Sequence, residues 1–309
     1  MISRRNIRVK VMQTLYTLSL SENGAKPGEA HKLLQQHFDQ SRSLLVYLTW
    51  FLTEVTRYAE TDAHQRASKH LPSADDLNVN TKLAGNEILW KMLEDNELKS
   101  QFAKDKPELM TNRDLIRRTY LTLAETPEYK TYISKGAREK QEEKKILEFI
   151  LNDLMLANEV FVSHIEEHFS NWDDDADMMD QLTLNYLHKP GAYSLQQVIG
   201  EEKTKFAKSL LNTTVSKGAY AIELIKPRLQ NWDSDRIAVL DMILMQMGVC
   251  EFLYFETIPP KVTINEYIDI AKEYSTPQSG HFVNGILDSI HKELLAENKI
   301  HKIDFKQKA

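Results

Sequence analysis

The chain has 309 residues, of which 42% are hydrophobic and 27% are charged. This composition excludes a disordered chain, and the length is enough for a substantial core or for about two domains of roughly 150 residues each. Only 10 glycine and 9 proline residues interrupt the sequence, and alternating β-branched runs are scarce. We therefore predict an all-α protein, built as a multi-helix bundle.

Charge and cysteine content exclude further classes of protein. The only cysteine, Cys250, excludes an internal disulfide and a Cys-rich zinc site, and we expect a buried thiol in a cytoplasmic protein. The longest apolar run, residues 44–52, is too short for a membrane span, which needs about 20 residues. Because the net charge is −6, any site for nucleic acid must be a local patch.

The first 20 residues carry four basic side chains and no acid, which is typical of a targeting segment or of a functional basic helix. Polar residues interrupt the apolar segment and no small-residue cleavage site follows, so we favour the basic helix. Ser3 is the expected N-cap, and Arg4, Arg5 and Arg8 can share an exposed edge. The predicted buried stripe is Ile7, Val11, Leu15 and Leu18.

The middle of the chain is predicted to be helical as well. A polar break is expected at residues 71–81 and a turn at Pro190-Gly191. Mixed charges in residues 138–145 predict the start of a helix with a solvated face. Further helices are predicted at residues 44–58, 88–102 and 112–123.

Part of this region is similar to a later part of the chain at an offset of 60 residues. Ile165 then aligns with Ile225, and the NWD of residues 171–173 aligns with that of residues 231–233. Two interpretations stay open: a duplicated helical hairpin, or two unrelated amphipathic hairpins.

Candidate metal and catalytic motifs are weak. His164 and His168 are spaced as i and i+4, which could hold a metal ion on one helix face. A zinc-protease motif needs Glu directly after the first His, where this chain has Ile165, and no third ligand is evident. Residues 171–177 resemble the start of a calcium loop, but Ala176 replaces the required glycine. We therefore expect ordinary surface histidines, no metal site and no catalytic residue.

Residues 258–287 carry the most specific pattern of the chain. Pro259 and Pro260 stiffen the approach to a helix. Thr263 and Glu266 have the spacing of a capping box, which predicts that the helix begins after Thr263. Residues 275–280 break this helix. The apolar stripe of a second helix follows, at Phe282, Ile286, Ile290 and Leu294.

Motifs at both ends of the chain match one known family. Near the C-terminus the matching residues are IPPKV (258–262), INE (264–266), AK (271–272), Tyr274 and FVNGIL (282–287). Near the N-terminus, RRNIRVKVMQTLY (4–16) is similar to the family pattern R-R-x-x-R-x-x-x-(L/M)-Q-x-L-Y. The chain therefore resembles the NusB family of bacterial transcription antitermination factors, whose typical members are much shorter.

The resemblance implies an all-helical NusB-like core with additional inserted helices. We expect residues 1–24 and 201–296 to form this core. Residues 25–200 would be a helical expansion packed on the same body, and residues 297–309 a polar C-terminal tail.

The resemblance also implies a function. NusB proteins pair with the ribosomal protein NusE and bind the single-stranded boxA element of nascent transcripts, particularly ribosomal RNA leaders. They help RNA polymerase to resist termination. On this basis the expected partners are NusE, boxA-type RNA and the RNA polymerase antitermination complex, and no enzymatic activity, cofactor, membrane or small-molecule substrate is expected.

Recognition of unpaired RNA needs cations for phosphates, planar groups for bases and amides for base edges. Arg4, Arg5 and Arg8 are the candidates for phosphates, since no acid near them in sequence offsets their mutual repulsion. The other candidates are Tyr16 and Phe282 for stacking, and Gln278 and Asn284 for polar contacts. The structural alternatives are that Tyr16 and Phe282 pack in the core, and that Gly285 allows a close helix approach.

Other positions depart from the family pattern and keep rival functions open. Met242 and Gln246 stand where many relatives carry arginines, and Cys250 stands where a tyrosine is common. One rival is a helical protein-interaction scaffold that has lost RNA binding. The other is an RNA-modifying enzyme, because NusB-like modules also occur fused to RNA methyltransferase domains, although this chain lacks a Gly-rich methyl-donor motif.

Overall fold

The computed structural model of the chain describes residues 2–20, 28–191, 194–195, 200–229 and 237–303. These residues form fourteen α-helices and contain no strand, which confirms the predicted all-α class. None of the described helices combines the length and the hydropathy that crossing a bilayer requires. The possible repeat at an offset of 60 residues includes residues 231–233, and these lie outside the described ranges.

The helices are numbered in chain order, and two short 3₁₀ segments and a π-helical segment join them. The 3₁₀ segments are Pro107–Leu109 and Lys226–Leu229, and the π-helical segment is Ile150–Leu156. The α-helices are α1 (Arg4–Ser19), α2 (Glu29–Ala67), α3 (Ala74–Leu77), α4 (Glu87–Glu94), α5 (Asn96–Asp105), α6 (Arg113–Glu125), α7 (Pro127–Ser134), α8 (Lys140–Phe149), α9 (Glu159–His168), α10 (Trp172–His188), α11 (Glu201–Ile225), α12 (Val239–Tyr254), α13 (Pro260–Tyr274) and α14 (Ser279–Ala296).

Two compact units make up the chain. We call residues 1–2 and 38–198 the middle unit, and residues 3–37 and 199–309 the terminal unit. The terminal unit is discontinuous in sequence, because the chain leaves it within α2 and returns to it before α11. The assignment of residues 1–24 and 201–296 to a family core stays a prediction.

In the middle unit, capping side chains begin more helices than the spacing of apolar residues predicts. The single helix predicted at residues 88–102 is wrong, because the Asp95 carboxylate accepts the backbone N–H of Glu97 and begins α5 after α4 has ended. The polar break at residues 71–81 contains α3, which has a complete capping box between Ser73 and Asp76. The predicted turn at Pro190-Gly191 is confirmed, with Gly191 at φ 70°.

The predicted solvated face at residues 138–145 is wrong for Glu143, which is buried. Its carboxylate accepts the hydroxyl of Tyr132 at 2.7 Å and the backbone N–H of Glu87 at 2.8 Å. The guanidinium of Arg138 lies 3.2 Å from the same carboxylate. A buried carboxylate is tolerated here because hydrogen bonds and a cation replace the water that it loses.

In the terminal unit, α12 is the central helix and contacts α1, α11, α13 and α14. It is buried along most of its length, which explains the apolar sequence around Cys250. The expected buried thiol is confirmed, and burial raises the pKa of Cys250 to about 12. The first helix, α1, begins as predicted, because the Ser3 hydroxyl accepts the backbone N–H of Asn6.

Helix α13 begins four residues earlier than the sequence predicts. It starts at Pro260, where proline is well tolerated because the first turn of a helix leaves N–H groups unpaired. The capping box at Thr263 and Glu266 is therefore wrong. Thr263 is buried inside the helix and its hydroxyl donates to the Glu251 carboxylate at 3.0 Å, so a tertiary hydrogen bond takes the place of a cap.

A glycine does allow close packing of helices, but it is Gly248 of α12. A Cβ added there would lie 2.9 Å from Cδ2 of Leu287 in α14 and 3.4 Å from the Tyr267 ring. Gly285 is exposed, and a Cβ added to it would meet no atom within 4 Å. The interpretation that Gly285 brings helices together is therefore wrong.

The terminal unit is held by a buried ion pair between Arg8 of α1 and Glu251 of α12. Two hydrogen bonds of 2.7 and 3.0 Å join the guanidinium to the carboxylate, and Arg8 is only 2% exposed. Tyr267 of α13 donates its hydroxyl to the same carboxylate at 2.8 Å, beside the bond from Thr263. Glu266 of α13 lies 3.2 Å from the second edge of the guanidinium.

Burial and pairing act in opposite directions on these groups. Burial disfavours the charged guanidinium, but the hydrogen bonds and charge of Glu251 raise the pKa of Arg8 above its ordinary value. Burial, reinforced by the charge of Glu251, raises the pKa of Tyr267 well above 10 and keeps its hydroxyl protonated as a donor. Arg8 therefore stays charged and Tyr267 stays a hydrogen-bond donor, and their bonds to Glu251 fix α1 against α12 and α13.

The polar tail predicted at residues 297–309 is partly bound to α12, and residues 304–309 lie outside the described part. The Lys302 ammonium donates to the carbonyl oxygens of Glu251 at 2.9 Å and Phe255 at 2.7 Å. Burial lowers the pKa of Lys302. A cation at this position complements the carbonyl groups at the C-terminal end of α12.

Removing one partner of the buried pair should destabilise the fold. We expect Arg8→Met to lower the free energy of unfolding by about 3–5 kcal/mol, because it leaves the Glu251 carboxylate buried without its cation. The change is measured by urea denaturation followed by circular dichroism. Arg4→Met, which removes an exposed ion pair, is the matched control and should cost less than about 1 kcal/mol. Adding Glu251→Gln to Arg8→Met should recover part of the loss, and equal losses for the two arginines would contradict the role of the pair.

Two glycines in neighbouring helices should respond oppositely to alanine. Gly285→Ala is expected to stabilise the protein by about 0.5–1 kcal/mol, because alanine favours the helix and meets no neighbour. Gly248→Ala is expected to cost about 1–3 kcal/mol through its clash with the buried Leu287 side chain. Thermal or urea unfolding of both variants checks this difference, and a shift of the same sign in both would contradict the close approach of α12 and α14.

Candidate nucleic-acid interface

The candidate surface is built around the first turn of α1, where Arg4 and Arg5 point to carboxylates of other helices. Arg4 lies 2.8 Å from Glu202 at the start of α11. Arg5 lies 2.7 Å from Glu273 and 3.6 Å from Asp269, both in α13. The expectation that these arginines lack acidic partners is wrong, because the acids come from distant parts of the sequence.

Exposure separates the three arginines. The side chains of Arg4 and Arg5 are 42% and 38% exposed, so solvent reaches both guanidinium groups and their ion pairs. Arg8 is buried in its pair with Glu251, and both edges of its guanidinium are occupied. The structure therefore does not present Arg8 for the phosphate contact predicted from the sequence, and Arg8 instead positions the helix that carries Arg4 and Arg5.

An aromatic ring below the arginines was not predicted from the sequence. The guanidinium carbon of Arg4 lies 5.4 Å from the centre of the Phe206 ring, and that of Arg8 lies 5.5 Å from it. Phe206 also packs edge-on against Phe255, with ring centres 5.7 Å apart. These contacts fall within the range of cation–π interactions and hold the arginines in place. Nothing in the sequence near Phe206 indicates this contact, because its partners belong to α1 and to the end of α12.

The candidate stacking residues differ in their accessibility. Tyr16 is 37% exposed in the last turn of α1. At 1.5 Å per residue, it lies about 18 Å along the helix from Arg4, so it is not part of the same cluster. Phe282 is only 8% exposed in α14 and packs in the core, as the structural alternative expected. Of the two, only Tyr16 presents ring surface to solvent.

The polar candidates lie at the start of α14. Gln278 and Asn284 are both exposed. The backbone carbonyl oxygen of Gln278 accepts the backbone N–H groups of His281 and Phe282. The side-chain amide of Gln278 takes no part in these two bonds. Gln278 lies five residues after Glu273, the partner of Arg5. Five residues of chain reach at most about 18 Å, so the two residues are no further apart than that.

The junction between α13 and α14 is ordered by hydroxyl groups. The Ser279 hydroxyl donates to the buried carboxylate of Asp241 at 2.7 Å and accepts the backbone N–H of Thr276 at 3.2 Å. These bonds hold the junction to the start of α12. The surface around Arg5 is therefore formed by ordered elements rather than by a free loop.

Comparison with known proteins finds similarity over part of the chain. The sequence model of the NusB family matches residues 155–292. This range includes α9 to α13 and most of α14, and it begins inside the segment that the sequence interpretation assigned to an expansion. Helix α1, with Arg4 and Arg5, lies outside the matched range.

Three curated relatives are named transcription antitermination protein NusB. The protein of Salinibacter ruber is 43% identical over 97 residues, which is 31% of this chain and 61% of the relative. That of Chloroherpeton thalassium is 38% identical over 108 residues, 35% of this chain and 51% of the relative. That of Methylacidiphilum infernorum is 51% identical over 71 residues, 23% of this chain and 50% of the relative.

The chain thus spans between 50% and 61% of the length of these relatives. No solved structure is significantly similar to the chain. The family motifs, the all-α fold and the match over residues 155–292 agree with one another. Through its C-terminal region, residues 155–292, the chain is similar to the NusB family.

Proposed function

We propose that this protein is a transcription antitermination factor that binds boxA-type single-stranded RNA together with the ribosomal protein NusE. It would act within the RNA polymerase antitermination complex, without catalysis, cofactor or small-molecule substrate. The names of its relatives support antitermination. The observation that carries the RNA contact is the pair of exposed, ordered guanidinium groups of Arg4 and Arg5.

The acidic partners of these arginines are compatible with RNA binding. An exposed ion pair contributes only about 0–1 kcal/mol, so replacing a carboxylate by a phosphate costs little. Before RNA arrives, Glu202 and Glu273 hold the two guanidinium groups in defined positions. Planar guanidinium groups then bind phosphate in a bidentate geometry, which favours arginine over lysine at such a site.

The remaining candidates would supply contacts with bases. Tyr16 offers a ring at the far end of α1, and a stacked base contributes about 1–3 kcal/mol. Gln278 and Asn284 offer exposed amide groups at the start of α14. Phe282 would support this surface from the core rather than stack on RNA.

A protein-interaction scaffold remains the second candidate function. The pairing of Arg4, Arg5 and Arg8 with carboxylates favours it, since each cation already has a partner in the free protein. Met242 and Gln246, at positions where many relatives are expected to carry arginine, point the same way. The two functions differ in salt dependence, because only phosphate contacts release counterions.

Replacing both exposed arginines should weaken RNA binding. We expect Arg4→Ala/Arg5→Ala to lower the affinity for a boxA-type RNA, measured with NusE present by fluorescence anisotropy over a series of salt concentrations. The plot of log affinity against log salt concentration should become less steep, by about 0.7 in the magnitude of its slope for each phosphate that the variant no longer binds. Arg118→Ala is the matched control, because it also removes an exposed arginine paired with a carboxylate. Unchanged affinity and slope in the double variant would leave the scaffold as the better explanation.

Removing the acid that competes for Arg5 should strengthen RNA binding. We expect Glu273→Gln to raise the affinity for the same RNA, because Arg5 then keeps only its longer contact of 3.6 Å with Asp269 and gives up less when it binds phosphate. The gain should vanish in Arg5→Ala/Glu273→Gln, which separates release of Arg5 from a general decrease in negative charge.

Glu297→Gln is the control for charge alone, since Glu297 is also an exposed partner of a cation in the terminal unit. An equal gain from Glu297→Gln would show that Arg5 has no specific part in RNA binding.

A further inference from the structure

One turn of α9 in the middle unit brings together His164, Glu167 and His168. One nitrogen of each imidazole and one carboxylate oxygen of Glu167 all lie within 4.8 Å of one another. His164 is half-buried, whereas Glu167 and His168 are exposed, so an ion in solution can reach the cluster. The spacing i, i+3 and i+4 places all three side chains on one helix face.

One nitrogen of each imidazole already has a partner within the protein. Nε2 of His164 lies 2.6 Å from the hydroxyl oxygen of Tyr47 in α2. Nδ1 of His168 lies 2.9 Å from the backbone carbonyl oxygen of His164, to which it donates. This leaves Nδ1 of His164 and Nε2 of His168 available to a ligand. Histidines that bind a metal through one ring nitrogen usually have an oxygen partner on the other nitrogen. This partner fixes the tautomer and the orientation of the ring.

The support of this turn is rigid. Tyr47 packs against the His164 ring with centres 5.8 Å apart and against the Phe169 ring at 5.4 Å. The rings of Phe51 and Phe161 lie 4.6 Å apart in the same core. Side chains held by packing and hydrogen bonds need little reorganisation to bind an ion.

We propose that His164, Glu167 and His168 bind one divalent transition-metal ion of the Zn²⁺ type. Imidazole nitrogen combined with a carboxylate oxygen suits Zn²⁺, Co²⁺ and Ni²⁺ better than Mg²⁺ or Ca²⁺, which prefer oxygen ligands alone. Three protein ligands leave a coordination position open to water or to a further ligand.

Only the two histidines of this cluster were identified as possible ligands from the sequence pattern. The zinc-protease motif requires Glu immediately after the first His, where this chain has Ile165. Glu167 lies two positions further along, on the same helix face as both histidines. The expectation that no third ligand exists is therefore corrected by the helix geometry.

Titration of the intact chain with Zn²⁺ tests the site, by calorimetry and by competition with a chromophoric chelator. We expect one high-affinity ion per chain, and binding at least about tenfold weaker in Glu167→Gln and in His168→Ala. Both residues are exposed, so these variants should fold like the parent protein, which circular dichroism checks. Tyr47→Phe should also weaken binding, by about 10–100-fold, through the orientation of His164.

Matched controls are Glu166→Gln, which removes an exposed carboxylate from the same turn, and His70→Ala, which removes an exposed histidine elsewhere in the middle unit. Neither should change the affinity. Co²⁺ should give visible absorption bands that disappear in His164→Ala/His168→Ala. Absence of stoichiometric Zn²⁺ binding, or equal affinity in Glu167→Gln, His168→Ala and the parent protein, would overturn the proposal. Arg4→Ala/Arg5→Ala should bind Zn²⁺ normally, which separates this site from RNA binding.

Discussion

The terminal unit depends on an ion pair, between Arg8 and Glu251, that is buried away from water. Arg8 and Glu251 are both buried, and removing two such ions from water costs several kcal/mol for each. Their attraction offsets this cost only because the geometry is bidentate and because Thr263 and Tyr267 fill the remaining acceptor positions of the carboxylate. In other proteins, apolar residues of similar volume often replace a buried ion pair without loss of stability. The ionic pair additionally specifies one arrangement of α1, α12 and α13, and that arrangement determines where Arg4 and Arg5 reach the surface.

The two exposed arginines show how an anionic protein can present cations locally. Each guanidinium group is partly neutralised by a carboxylate of a neighbouring helix, and Phe206 supports Arg4 from below. This pairing removes the mutual repulsion of the basic residues in the free protein. In the proposed function, binding of RNA would therefore be an exchange of partners, and selectivity would depend on how well phosphate competes with the carboxylates that already pair with the arginines.

Local features were predictable from the sequence, and long-range ones were not. The cap at Ser3 and the all-α class follow from neighbours within a few residues, so spacing and propensity were sufficient. Thr263 failed as a cap because Glu251, which lies in another helix, binds its hydroxyl. The partners of Arg5 and the burial of Glu143 depend in the same way on residues far along the chain. Glu167 was within reach of sequence reasoning, but the zinc-protease motif places its acid at a different position.

The discontinuity of the terminal unit has a consequence for biosynthesis. Arg8 leaves the ribosome before the middle unit, whereas Glu251 and Lys302 follow only after most of that unit has been made. The middle unit is continuous apart from two residues and can fold as it emerges, since domains generally fold as units during synthesis. Helix α1 is made long before α12, so Arg8 has no buried carboxylate to pair with until Glu251 has been synthesised. The order in which the chain is made thus delays folding of the terminal unit until its last helices have been synthesised.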